Sequence, residues 1–271
     1  MATTRAFIRG LWGDPTLLRR IHKPPDPYCD ILKSVQVSVE QQVPIDHVYC
    51  FGQVNYDYVR SFGLKADLLD RRAWATPGRP YRGRTACGAI RQGHSHWWHK
   101  LRVIAEALCQ YDEVVWLDFR AELRQPITEE YWKRRAAGAA FQATLYRQPN
   151  YTWAAAWRHV KKWPVEGCPL WDGEDSLRQC RMVPGGGCIY LRDKSIADEW
   201  LRIARSQRTW LDHQVMACWF DRLHGGWVGP EKWVESGYEL GDYRFGPQVY
   251  PPADDQVIWD IPSRYCKRQA E

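Results

Sequence analysis

The stretch EVVWLD, residues 113–118, constrains the fold more than any other part of the chain. Val114, Val115, Trp116 and Leu117 stand in an unbroken apolar row, and Asp118 follows directly. A short apolar run without polar alternation reads as a strand that needs cover on both faces. Such strands sit inside parallel sheets, between two layers of helices. Asp118 then stands at the carboxyl end of a buried strand, which is where open α/β sheets bind their ligands.

The neighbouring patterns agree with that placement. TRAFIRGLWG (4–13) reads as a first strand. Residues 25–42 carry Tyr28, Ile31, Leu32, Val35 and Val39 at helical spacing. A strand at 43–52 stopped by Gly52, a helix at 55–63 closed by Gly63, and a strand at 64–70 follow. Residues 71–88 are rich in Arg, Gly and Pro without periodicity, and read as a long basic loop. The next helix carries Trp97, Leu101, Ile104, Ala105 and Leu108 on one face and leads into the EVVWL strand. Beyond it come a helix at 126–138 opening with Thr128, a strand at 138–146, and a segment at 147–164 in which aromatic and basic residues interleave. A glycine turn into a short strand is expected at 185–193, a helix with a Ser-x-x-Asp start at 195–206, and a helix ended by two glycines at 209–226. The last thirty or so residues read as extended chain wrapping the outside. Strand and helix alternate, with no repeat, low-complexity tract or clear linker, so one α/β domain with a mostly parallel sheet is expected over 1–271.

Composition excludes several classes. At 271 residues, 26% charged and 45% hydrophobic, the chain is globular rather than disordered. It has no apolar run near the ~20 residues that span a bilayer, and its N-terminus lacks a signal-peptide core, so a cytoplasmic protein is expected, in the host cytoplasm if it is viral. The nine cysteines include no CxxC pair, which argues against zinc fingers and a disulfide framework. The net charge is +6 and Arg outnumbers Lys. Arginine's planar fork suits phosphate, so a phosphate-bearing ligand or a nucleic acid is one reading and a solvated basic surface the other. Sixteen tryptophans serve equally for core packing and for stacking on sugars or bases.

The order FGQVNYDYVRSFGLKADLLD, WWHKLRVIAEAL, YDEVVWLDFRAELRQPI, VPGGGCIYLRD and WLDHQVMACW resembles the GT-A fold of nucleotide-sugar glycosyltransferases, in its small bacterial and phage-like form. The likeness is one of element order and covers roughly residues 5–225. It implies a Rossmann-like donor-binding half at about 1–124, an acceptor-side half at about 125–241 and an extended tail at about 242–271. It also implies transfer of a sugar, from a UDP-sugar by preference, to a hydroxyl acceptor. Arg9, Gly10, Trp12, Lys100, Asp118, Arg120, Gly185, Gly186 and Gly187 are then the donor-binding candidates.

Relatives carry Asp-x-Asp at the end of this strand and hold Mn²⁺ or Mg²⁺ there, which offsets charge on the departing diphosphate. Here Asp118 matches the first Asp and Arg120 replaces the second. Either a cation binds through Asp118 with a partner such as His224 or Glu122, or Arg120 and Lys100 neutralise the diphosphate directly. A single Asp is a poor divalent site, so the second reading is favoured and activity is expected to survive EDTA. Asp212 is the candidate general base, with Asp175 in reserve, although Thr209-x-x-Asp212 is also a helix-capping spacing. The glycines at 185–187 either approach the ligand or only make a turn. His94, His96 and His99 lack the i,i+4 spacing of helical zinc sites.

Partner candidates lie in the two basic aromatic segments. Arg79 and Arg82, with Arg147, Tyr151, Trp157, Arg158, Lys161 and Lys162, could meet phosphates and stack on bases, and Gln214 joins them on the acceptor side. The alternative for 147–164 is an amphipathic helix with its tryptophans in the core. A hydroxymethylated pyrimidine in phage DNA, 5-hydroxymethylcytosine above all, is the expected acceptor, and reaching it in a duplex requires base extrusion. A glycan, lipid or protein acceptor is the second reading, and a non-catalytic nucleic-acid-binding domain the third.

Overall fold

A computed structural model describes residues 2–11, 47–61, 63–69, 98–118, 121–123, 127–147, 182–206, 212–225, 230–238, 243–245 and 258–260. The helix expected at 25–42, the loop at 71–88 and most of 147–164 lie outside them.

Six strands form one mixed sheet in the order β3-β2-β1-β4-β7-β6. They are β1 (Arg5–Leu11), β2 (His47–Phe51), β3 (Ala66–Leu69), β4 (Glu113–Leu117), β6 (Phe141–Arg147) and β7 (Met182–Leu191). The first four run parallel, and β7 lies antiparallel to both β4 and β6. Every residue of β4 is buried, as its unbroken apolar run requires.

Alternation along the strands divides the core into two faces. Ala6, Ile8, Tyr49, Phe51, Val114, Trp116, Ile189 and Leu191 pack with buried residues of α2 (Trp98–Ala107), α4 (Lys194–Ser206) and α5 (Asp212–Leu223). On the opposite face, Phe7, Val115, Leu117, Cys188 and Tyr190 meet Tyr131 and Trp132 of α3 (Glu129–Ala137). Leu11, Val48 and Cys50 on that same face meet Val59 of α1 (Gln53–Arg60). Helices therefore cover both faces. Leu101, Ile104, Ala105 and Leu108 are buried as the helical spacing requires. None of the described helices is long and apolar enough to cross a membrane.

Local signals explain most boundaries. Gly52, at φ 100°, turns β2 into α1 within one residue, a conformation that favours glycine. Thr128 caps α3 by accepting a hydrogen bond from the Tyr131 amide.

Two local expectations are corrected. The glycines at 185–187 make no turn; they lie inside the ten-residue β7. On β6, Ala143 and Leu145 pair with Ile189 and Pro184, so four residues of β7 oppose one of β6. Glycine's freedom serves a bulge, because partners on both sides keep the chain extended. In α4 the cap is Asp193, whose Oδ1 accepts from the Ser195 amide at 2.8 Å, while Asp198 pairs with Lys194 one turn on. Asp212 is the first residue of α5, and Thr209 of the Thr209-x-x-Asp212 capping spacing lies outside the described residues.

The C-terminal segment is more than a wrapping. Strands β8 (Tyr243–Phe245) and β9 (Ile258–Asp260) form a second sheet with β5 (Ala121–Leu123), in the order β5-β9-β8. Ala121 pairs with Asp260, so distant sequence meets the chain just beyond Asp118.

At the amino end of β2, His47 is fully buried and stacks on Tyr49 at 4.3 Å. Its Nδ1 shares a hydrogen bond with Tyr111 Oη at 3.2 Å, and its Nε2 lies 3.3 Å from Asp67 Oδ2. Lys65 donates to the same Tyr111 hydroxyl at 2.7 Å. Burial lowers the His47 pKa, against the pull of Asp67. A depressed histidine contributes stability above its unfolded pKa of about 6.5 and loses it as the pH falls from there through the lower folded value. Urea unfolding at about pH 7.5 and about pH 5.5 is therefore expected to show a larger drop for the wild type than for His47→Gln. Equal drops would remove His47 as the cause.

Candidate functional site

The sheet order places the site. From β1 the chain moves outward to β2 and β3, then returns to place β4 on the other side of β1. That reversal is a topological switch point, and ligands bind outside the carboxyl ends of the strands there. Ile8 pairs with Trp116, so Arg9 and Gly10 run alongside Leu117 and Asp118 at that edge.

Asp118 is held from both neighbouring strands. Its amide donates to the Gly187 carbonyl at 2.8 Å, and its carbonyl accepts from Arg9 Nη1 at 3.1 Å. Arg9 is only 2% exposed, an arginine built into the sheet.

The carboxylate is bound on one oxygen. Asp118 Oδ1 accepts from Trp116 Nε1 at 2.8 Å and lies 3.0 Å from Lys100 Nζ. Trp116 and Asp118 are two positions apart on extended chain, so both face α2. Lys100, in the first turn of α2, also donates to the Gly186 carbonyl at 2.6 Å, and its ammonium lies 5.4 Å from the centre of the Trp116 ring. The Lys100 side chain is 3% exposed, whereas that of Asp118 is 26% exposed. Among the described residues, no hydrogen bond reaches Oδ2. Within the described residues the carboxylate thus commits one oxygen to the protein and leaves the other to a ligand hydroxyl or amide.

No family model matches the chain, and no curated protein matches its sequence. A solved structure that it resembles is the apo structure of the WbbM bifunctional glycosyltransferase. The identity is 10% and the TM-score 0.42, over 81% of this chain and 38% of that one. The chain thus spans well under half the length of that enzyme. The likeness is in chain path, and the reading of the site rests on Asp118 and its neighbours.

The resemblance in element order implies a divalent cation on Asp118 with a partner such as His224 or Glu122; the Glu122 side chain falls outside the description, and the described residues do not by themselves fit a cation. Nowhere among them do three His, Cys, Asp or Glu side chains gather. The ammonium of Lys100 already stands against Oδ1, and a second cation there would meet like charge. His224 follows the C-terminal end of α5 with its ring 4.5 Å from that of Phe220. None of the ion pairs of Asp118 among the described residues involves it.

The fold thus brings together Arg9, Gly10, Lys100, Asp118, Gly186 and Gly187 of the expected donor-binding set. Gly185 lies in the same strand. Trp12, Arg120, Asp175, Arg79, Arg82, Tyr151, Trp157, Arg158, Lys161 and Lys162 fall outside the described residues. Arg147, Asp212 and Gln214 have places in the backbone, at the end of β6 and the start of α5, but their side chains fall outside the description. Trp116 was not among the expected site residues. Its signal was its position two residues before Asp118 on a strand, which puts both side chains on one face.

Proposed function

We propose that this chain is a nucleotide-sugar-dependent glycosyltransferase. The observation that carries the reading is Asp118 at the switch point, tied through Oδ1 and open at Oδ2. A sugar leaving a diphosphate builds negative charge, and donors must be aimed at it. Helices α1 and α2 both begin at this carboxyl edge, and neither carries an acidic residue in its first turn. The positive ends of their dipoles favour an anion there. Arg9, Gly10 and the β7 glycines line the same corner, and Trp12 and Arg120 are the sequence neighbours that would join them. The donor in this reading is a UDP-sugar. Asp212 is the proposed general base near the acceptor, and Asp175 is the reserve candidate.

The proposed acceptor is a hydroxymethylated pyrimidine of phage DNA. The support is the pairing of an arginine-rich stretch at 71–84 with the basic aromatic stretch at 147–164, since cations and stacking rings are what an extruded base requires. The deciding experiment incubates the protein with a panel of nucleotide sugars and DNA containing 5-hydroxymethylcytosine, read by nucleoside mass spectrometry. A hexose-sized mass increase on the modified nucleoside is expected with one donor. Transfer to a glycan, lipid or protein without any change in DNA would replace the acceptor. Salt-sensitive DNA binding without turnover of any donor would make the chain a binding domain instead.

A further inference from the structure

We infer that Lys100 is a built-in cation that replaces a divalent metal at this corner. It acts through Asp118 rather than on the ligand, with Trp116 and the Gly186 carbonyl as positioning groups. The inference rests on the donor-site reading above and deepens it.

An ammonium that is 3% exposed must be compensated, because a charge removed from water is costly unless paired. Among the described residues Lys100 meets groups of the kind a small cation selects: a carboxylate oxygen at 3.0 Å, a carbonyl oxygen at 2.6 Å and the face of an indole at 5.4 Å. The ammonium therefore sits in a prepared cation pocket, filled from the protein's own chain. Its burial keeps it behind the carboxylate, away from the side on which a ligand would arrive.

The consequence is electrostatic. Asp118 alone would present a negative charge to an arriving diphosphate and repel it. With Lys100 against Oδ1 the pair is neutral, and Oδ2 can accept a hydrogen bond beside an anion without that penalty. Trp116 holds the rotamer: its Nε1–H fixes Oδ1, so the carboxylate cannot turn to offer both oxygens. The bulge at the β7 glycines has a role in the same device. It lies where the Gly186 carbonyl meets the ammonium, a contact between residues 86 positions apart.

The test is calorimetric titration of UDP, and of ADP, GDP and CDP beside it, into the full chain in EDTA and in Mn²⁺. The wild type is expected to bind UDP equally in both, within about twofold. Lys100→Met keeps the length of the stem and removes the charge; it is expected to bind about tenfold more weakly in EDTA, with Mn²⁺ restoring most of the loss. Trp116→Phe removes the indole N–H and is expected to weaken binding by about fivefold without rescue by Mn²⁺. Only a charge-replacing role predicts that difference in metal response, since a merely structural lysine would leave no vacancy for Mn²⁺ to fill. Wild-type binding that needs Mn²⁺ would overturn the inference while leaving the donor site standing, and that arm needs no variant to fold. Lys100→Met binding at wild-type strength in EDTA would overturn it too. No binding of any of the four diphosphates in either buffer would overturn the donor site itself.

Discussion

Asp118→Asn is expected to lower kcat/KM for sugar transfer by about 100-fold and to destabilise the fold less than Asp118→Ala does. Asparagine keeps an oxygen that can accept from Trp116 Nε1 and Lys100 Nζ, so both contacts survive, but it removes the negative charge that compensates the buried ammonium. It presents an amide nitrogen where Oδ2 stood, and a hydrogen bond to a charged group is worth roughly 1.5–3 kcal/mol, or about 10- to 100-fold. Asp118→Ala separates the two roles. It deprives the buried Lys100 ammonium of charge and acceptor alike, and breaking a buried pair costs roughly 3–5 kcal/mol. The lower end, about 3 kcal/mol, is expected because Asp118 is 26% exposed. Nucleotide release measured beside urea unfolding checks both variants. An asparagine variant with wild-type turnover would remove Asp118 from the reaction. An alanine variant as stable as the wild type would show that Lys100 does not depend on this carboxylate.

Trp200→Ala is expected to be the most damaging single change to stability, at about 4 kcal/mol, with a fall in Tm on the order of 10 °C. Trp200 is fully buried, and its ring meets Phe141 edge-on at 4.9 Å and Trp219 at 6.1 Å. Those contacts join α4 to β6 and α5, so the cavity left by alanine opens where two helices and the sheet meet. Trp200→Phe should cost much less. The buried indole Nε1–H has no hydrogen-bond partner among the described residues, and phenylalanine removes that unsatisfied donor along with the volume. Thermal unfolding of the two variants decides the point. A mild alanine variant would mean that the aromatic cluster repacks.

Tryptophan also shows where reading the chain alone falls short. A high count serves stacking on sugars or bases as well as it serves packing. Trp132, Trp200 and Trp219 lie in the core, and Trp116 spends its N–H on Asp118. Composition cannot separate these uses, because each depends on which surface a ring meets after the sheet has formed. The glycine run at 185–187 misleads for a related reason. Glycine permits a turn, but ladder partners on β4 and β6 determine whether the chain reverses or bulges.

Periodicity by itself determined the strands from 47–51, 66–69 and 113–117, the apolar face of the helix before β4, and the position of Asp118 at a strand end. These follow from local rules: which residues recur every second or every third to fourth position, and what stands after the last apolar one. Only the tertiary structure decided what Asp118 is bound to. Lys100 arrives from a helix, Gly186 from an antiparallel strand 86 positions beyond Lys100, and Arg9 from the strand on the other side. Strand β9 likewise gained partners in β5 and β8 that no local pattern marks. Such contacts depend on sheet order, and sheet order is set by how the whole chain buries its apolar faces.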